Sequence, residues 1–100
     1  MKKTDQQANG TSFHSTVINA TIEQMTSILG EPETGGIEDK VTHEWTGETN
    51  NGDVFTVYDW KEYREFEPGE VIEWHIGGHS KSITEQARLE MIETLWPLPF

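Results

Sequence analysis

The sequence predicts a small single-domain α+β protein: a helix, a three-stranded antiparallel sheet and a C-terminal helix, with both helices on one face of the sheet. Three observations lead there. Apolar residues recur at helical spacing in two separate stretches, an Asn-Gly pair divides two strand-like runs, and 100 residues leave room for one core only.

Residues 1–16 are polar apart from Phe13 and read as a flexible N-terminal arm, ahead of a domain at 17–96. Thr21-Ile22-Glu23-Gln24 fits a capping box, and Ile22, Met25 and Leu29 place one apolar stripe on the turns that follow. Gly30 and then Pro32 stop this helix, and Glu31–Glu38, with Gly35-Gly36, reads as a loop.

Lys40–Thr49 and Asp53–Tyr63 read as strands of a hairpin turning at Asn50-Asn51-Gly52. Two registers are open. A two-residue turn faces Trp45 with Tyr58 and His43 with Trp60, but sets Glu44 against Asp59, a repulsion that Lys40 and Lys61 offset in part; a three-residue turn sets His43 against Asp59, an attractive pair. Phe66-Glu67-Pro68-Gly69 is a turn. Glu70–Ile76 is the third strand, with Ile72, Trp74 and Ile76 on one face and Val71, Glu73 and His75 on the other. Ser82-Ile83-Thr84-Glu85 is a second capping box, and Ile83, Ala87, Met91 and Leu95 then mark an amphipathic helix of about thirteen residues. Trp96-Pro97 ends it, and residues 97–100 form a tail.

Twenty-one residues are Leu, Ile, Val or Phe, few for a globular chain, so four Trp, four Phe and two Tyr must supply much of the core. The absence of cysteine excludes disulfides, thiol nucleophiles and Cys-ligated metals, and favours a reducing compartment. No apolar run is long enough for a membrane span or a signal peptide, so no membrane partner is expected.

The net charge is −11, and nearly all of it lies between Glu31 and Glu73, where thirteen acids face Lys40, Lys61 and Arg64. Direct nucleic-acid binding is thereby disfavoured, because that affinity comes from cations neutralising phosphates. Basic protein surfaces are the natural partners.

Catalytic chemistry finds little support. His14, His43, His75 and His79 lie near Ser15, Asp59, Glu73 and Ser80 without a nucleophile–base signature. His75, His79 and Glu73 are nitrogen and oxygen donors, but the chain between them leaves a strand and enters a turn, so the four-residue spacing does not define a metal site. The expectation is a non-enzyme with no metal and no cofactor. Gly77-Gly78-His79-Ser80-Lys81-Ser82 is more specific: glycines admit a ligand to the backbone, and a helix N-terminus, Lys81 and serine hydroxyls supply donors for a phosphate or other anion. The segment lacks the phosphate-loop motif, and a glycine-allowed tight turn leading into a helix cap is the commoner explanation. Trp60, Tyr63, Phe66, Trp74 and Trp96 are too many for one small face, so some should reach the surface.

Leu29-Gly30-Glu31-Pro32, Asp39-Lys40-Val41 with Glu44-Trp45, Val57-Tyr58-Asp59-Trp60-Lys61 and Trp74-His75-Ile76-Gly77-Gly78-His79 together resemble a family of small accessory proteins encoded by bacteriophages and prophages. The resemblance spans roughly residues 13–95 and departs from the family pattern at Thr46-Gly47 and in the acid-rich stretch Glu62–Glu67. It implies a protein acting in the cytoplasm of an infected bacterium. By analogy of size and charge, the expected function is inhibition of a basic host or bacterial defence protein, a DNA mimic of the anti-CRISPR, anti-restriction or nuclease-inhibitor kind. Glu44, Glu48, Asp59, Glu62, Glu65, Glu67, Glu70 and Glu73 are the expected partner-binding acids, with Trp60 or Tyr63 as anchor. The alternative is a module that binds or sequesters a nucleotide or phosphate at Gly77–Ser82, with Trp74 or Trp60 stacking on a base.

Overall fold

Ile72, Trp74 and Ile76 alternate with Glu73 and His75, and the computed structural model buries the first set and leaves the second at the surface. The structure describes residues 1–4, 6, 10–34, 43–60, 66–67 and 69–95. Its elements are β1 (Lys2–Lys3), β2 (Ser12–Ala20), α1 (Ile22–Leu29), β3 (Glu33–Thr34), β4 (His43–Glu48), β5 (Val54–Tyr58), β6 (Ile72–Gly78) and α2 (Lys81–Leu95).

The sheet is antiparallel and runs β1-β4-β5-β6-β2, with the two-residue β3 also pairing with β4. It is thus larger than the three strands expected. The N-terminal stretch read as an arm contributes two of the additions: Lys2–Lys3 pairs with Gly47–Glu48, and the strand from Ser12 lies along β6. Strand β2 hides well in the sequence. Its inward residues are Thr16, Ile18 and Ala20, of which only Ile18 carries a strong apolar signal, and a bulge between Phe13 and Thr16, with Ser15 at φ +66°, breaks the alternation.

The hairpin takes the three-residue turn. Glu44 pairs with Tyr58 and Trp45 with Val57, so Asp59 falls beside His43 instead of opposite Glu44. Thr49 N–H donates to Asp53 O at 2.8 Å, Gly52 N–H donates to Thr49 O at 2.9 Å, and Gly52 adopts φ +86°. This register removes the carboxylate clash and keeps Trp45 and Val57 on the buried face.

Both helices cover that face. In α1, Gln24 N–H donates to Thr21 Oγ1 at 3.1 Å and Thr21 N–H donates to Gln24 Oε1 at 2.8 Å, the expected capping box. The second box does not form. Helix α2 starts at Lys81, and Ser80, not Ser82, caps it by accepting from Ile83 N–H at 3.3 Å. The earlier start brings Thr84 inward, where it donates to Lys81 O at 2.7 Å and accepts from Thr16 Oγ1 at 2.8 Å.

Met25 and Leu29 of α1, Ala87, Met91 and Leu95 of α2, and Ile18, Trp45, Phe55, Val57, Ile72, Trp74 and Ile76 of the sheet form one core. Trp45 and Trp74 meet edge to face at 5.1 Å, and each indole N–H finds a carbonyl, Gly30 O at 2.7 Å and Ala20 O at 2.9 Å. Each large apolar side chain so buried contributes roughly 1.5–3 kcal/mol. Glu90 is buried as well. It accepts from Asn50 N–H at 2.9 Å and Gln86 Nε2 at 2.8 Å, and its carboxylate lies 3.2 Å from the Met1 amino group.

Candidate functional site

Both helices lie on one face of the sheet and, among the described residues, no helix covers the other, the open face to which every second residue of the central strands points. One row across this open face runs Glu33, Glu44, Tyr58, His75, Val17, each the direct ladder partner of the next. His75 is its centre. Phe13 stacks on the imidazole at 4.2 Å with the planes 13° apart, Trp60 lies nearly parallel to it at 6.1 Å, and Tyr58 meets it edge-on at 5.5 Å. Phe13 and Trp60 remain 42% and 40% exposed, so the cluster is a surface and not a second core.

The register of β2 on β6 brings Phe13 to this place, opposite Gly77, diagonal to His75. Gly77 is glycine for a packing reason: a Cβ there would sit 2.5 Å from Thr56 Oγ1. Carboxylates border the rings. Glu33 and Glu44 face each other across a ladder rung, Glu73 lies two residues before His75 on the same face, and among the described residues none of the three has a cation partner. Burial and then the Glu33 charge raise the Glu44 pKa above its ordinary value; burial and then Glu44 raise that of Tyr58. Burial pushes the His75 pKa down, with Glu73 pulling part of the way back, so the imidazole is neutral at pH 7.

Of the acids singled out from sequence, Glu44 and Glu73 share this face with Trp60. Glu48 lies on the same face but is tied to Lys2 at 3.0 Å and Gln6 Nε2 at 2.7 Å. Asp59 is not a surface acid. It is fully buried and bonded through Oδ2 to His43 Nδ1 and through Oδ1 to His43 N–H, both at 3.0 Å, a consequence of the three-residue turn. Glu67 and Glu70 precede β6 and lie outside the strands, with Glu67 N–H donating to Glu70 Oε1 at 3.3 Å. Glu62, Tyr63 and Glu65 lie outside the described residues, as does Trp96. Phe13, Tyr58 and Glu33 escaped the sequence reading, although the alternation that faces His75 outward is visible beside Glu73.

The glycine-rich segment is arranged for packing. Gly77 and Gly78 are buried at the end of β6, and a Cβ on Gly78 would meet Thr84 Cγ2 at 3.0 Å. Lys81 Nζ donates to His14 O at 3.0 Å, Ser80 caps α2, Ser82 Oγ lies 3.1 Å from Ser80 Oγ, and His79 packs against Gly10. Trp74 is wholly buried, so it has no face for a base.

Among the described residues no group of three or more His, Asp and Glu is placed to hold a metal ion, and no helix is long and apolar enough to cross a membrane. The chain matches no family model, no curated protein and no solved structure.

Proposed function

We propose that the chain is a binding protein whose open sheet face docks on a basic protein surface. The partner class that fits is a nucleic-acid-binding host or defence protein, and the consequence of docking is inhibition. The observation that carries this is the exposed Phe13–His75–Trp60 stack bordered by Glu33, Glu44 and Glu73. Aromatic rings anchor protein interfaces because they bury large rigid area at small entropic cost. Carboxylates at their border pair with Arg and Lys side chains shaped for phosphates, and steer a basic partner to the face. A neutral His75 keeps positive charge out of the centre.

The test is capture of bacterial proteins on the immobilised chain, compared with a Trp60→Ala variant and with a Glu44→Gln/Glu73→Gln pair. A specific partner is retained by the native chain, is released by added salt, and is lost from both variants. Capture indifferent to both variants and to salt overturns the reading.

A further inference from the structure

The centre of the open face holds a polar group that the fold leaves unanswered. Among the described residues neither ring nitrogen of His75 makes a hydrogen bond; the imidazole touches only the rings of Phe13, Tyr58 and Trp60. Both nitrogens reach the surface, since among the described residues no buried side-chain nitrogen or oxygen lacks a partner. Phe13, parallel at 4.2 Å, fixes the plane in which those nitrogens point. A neutral imidazole offers one donor and one acceptor, and an imidazolium two donors. The ring's protonation state therefore decides what can dock on it.

The titratable groups that face it are Glu73 on its own strand, Tyr58 on β5 and, beyond Tyr58 along the same row, Glu44 on β4 and Glu33 on β3. From β2 come Phe13 and Val17, which carry no charge, while His14 turns to Gly78 O at 3.1 Å. The described lysines and arginine are engaged elsewhere: Lys2 on Glu48, Lys3 on Glu31 O, Lys81 on His14 O and Arg88 on Val17 O. We propose that His75 is the residue by which the open face recognises an arginine of its basic partner, and that this recognition requires the neutral imidazole. The proposal rests on the docking reading above. A guanidinium is flat, donates in its own plane and packs on aromatic rings, so beside this cluster one N–H meets the accepting nitrogen of His75 while the others take Glu44 or Glu73. Lysine, a point charge without the flat fork, matches these groups less well. Protonation reverses the contact, because an imidazolium has no lone pair to accept with and repels the cation. Docking thus weakens as pH falls through the His75 titration. Glu44 also takes up a proton on acidification, so the test needs a variant that removes only the imidazole.

A deca-arginine peptide is the probe, titrated into chain labelled with ¹³C at histidine and followed at the imidazole resonances. In the bound chain the titration midpoint of His75 should move to lower pH while those of His14 and His79 stay. Native affinity should fall at least about threefold between about pH 7.5 and about pH 5.5, the interval in which histidine changes charge. His75→Gln should bind more weakly at the start and stay level across the same interval, and deca-lysine should bind the native chain more weakly than deca-arginine. Equal falls in native chain and His75→Gln, with binding still lost in Trp60→Ala, overturn this inference and leave docking at the face intact. Midpoints that move alike for every histidine also overturn it, since they report attraction to net charge only. Deca-lysine bound as tightly overturns the choice of arginine. Deca-arginine binding that Trp60→Ala does not weaken overturns both this inference and the docking reading.

Discussion

Gly47 shows how one missing side chain holds the open face and the core together. It faces the helices between β1 and β5, and a Cβ there would fall 2.6 Å from Phe55 Cζ and 3.1 Å from Lys2 O. Phe55 is fully buried and cannot swing away. Gly47→Ala should therefore cost about 1–3 kcal/mol, read as a lowered urea midpoint at unchanged slope. The polar pair Thr46-Gly47, an odd interruption of a strand in sequence terms, is the accommodation that lets β1 and Phe55 approach. Glu44 is the opposite case, a residue whose charge opposes folding. Its pKa is raised by burial and by Glu33 across the rung, so the folded state holds its proton more tightly than the unfolded chain, and its unfavourable contribution fades as pH falls. Glu44→Gln should stabilise the chain at pH 7 by roughly 0.2–1 kcal/mol, the range for like charges directly opposed on a ladder. A melting temperature that falls in this variant would mean that the carboxylate has a partner at that place.

Among the elements, β6 and α2 were legible because their buried residues are large and evenly spaced: Ile72, Trp74 and Ile76 at period two, Ala87, Met91 and Leu95 at period four. Strand β2 was not, since threonine and alanine fill much of its inner face and Ser15 breaks its rhythm. The hairpin was legible as a hairpin, but its register was not. One residue of turn length decides whether Asp59 is a surface anion or the buried partner of His43, and so whether the acids of the central segment share one face. The open face inherits this mixture: Glu73 and Trp60 follow from alternation and aromatic excess, whereas Phe13 needs β2 to exist. The hairpin is also fastened to α2 from outside the sheet by Glu90, which receives Asn50 N–H at the turn. Burial alone would raise its pKa, but hydrogen bonds from Gln86 and Asn50 and the nearby amino group bring it below the ordinary 4.5. A depressed carboxylate stabilises the fold above the unfolded value and loses that contribution as pH falls through the folded one. Native chain should thus exceed Glu90→Gln by about 1–3 kcal/mol near neutrality, and urea titrations should show the gap closing below about pH 4.5. A gap constant with pH would assign the role of Glu90 to packing.

In the whole molecule, a net charge of −11 is spread unevenly, and among the described cations Lys2, Lys81 and Arg88 lie at the edges of the sheet. A five-strand path has two edges. The β4 edge is covered by β1 and β3, with Lys2 paired to Glu48 there. Among the described residues no strand pairs with the outer edge of β2, and α2 supplies its cover: Lys81 Nζ donates to His14 O and Arg88 Nε to Val17 O, both at 3.0 Å. Two carbonyls that would accept an incoming strand are thus occupied, and a positive-φ Ser15 between them bends the template. An extended chain cannot add to β2 there without displacing both side chains. Lys81→Ala/Arg88→Ala should leave the core and the Trp60 surface intact while making the edge available. Sedimentation velocity should then show concentration-dependent self-association in the double variant and none in the native chain, despite the greater negative charge that the substitutions leave behind. A double variant that stays monomeric at every concentration would mean that the bulge and the charge repulsion protect the edge by themselves, and that the two cations contribute only to holding α2 against β2.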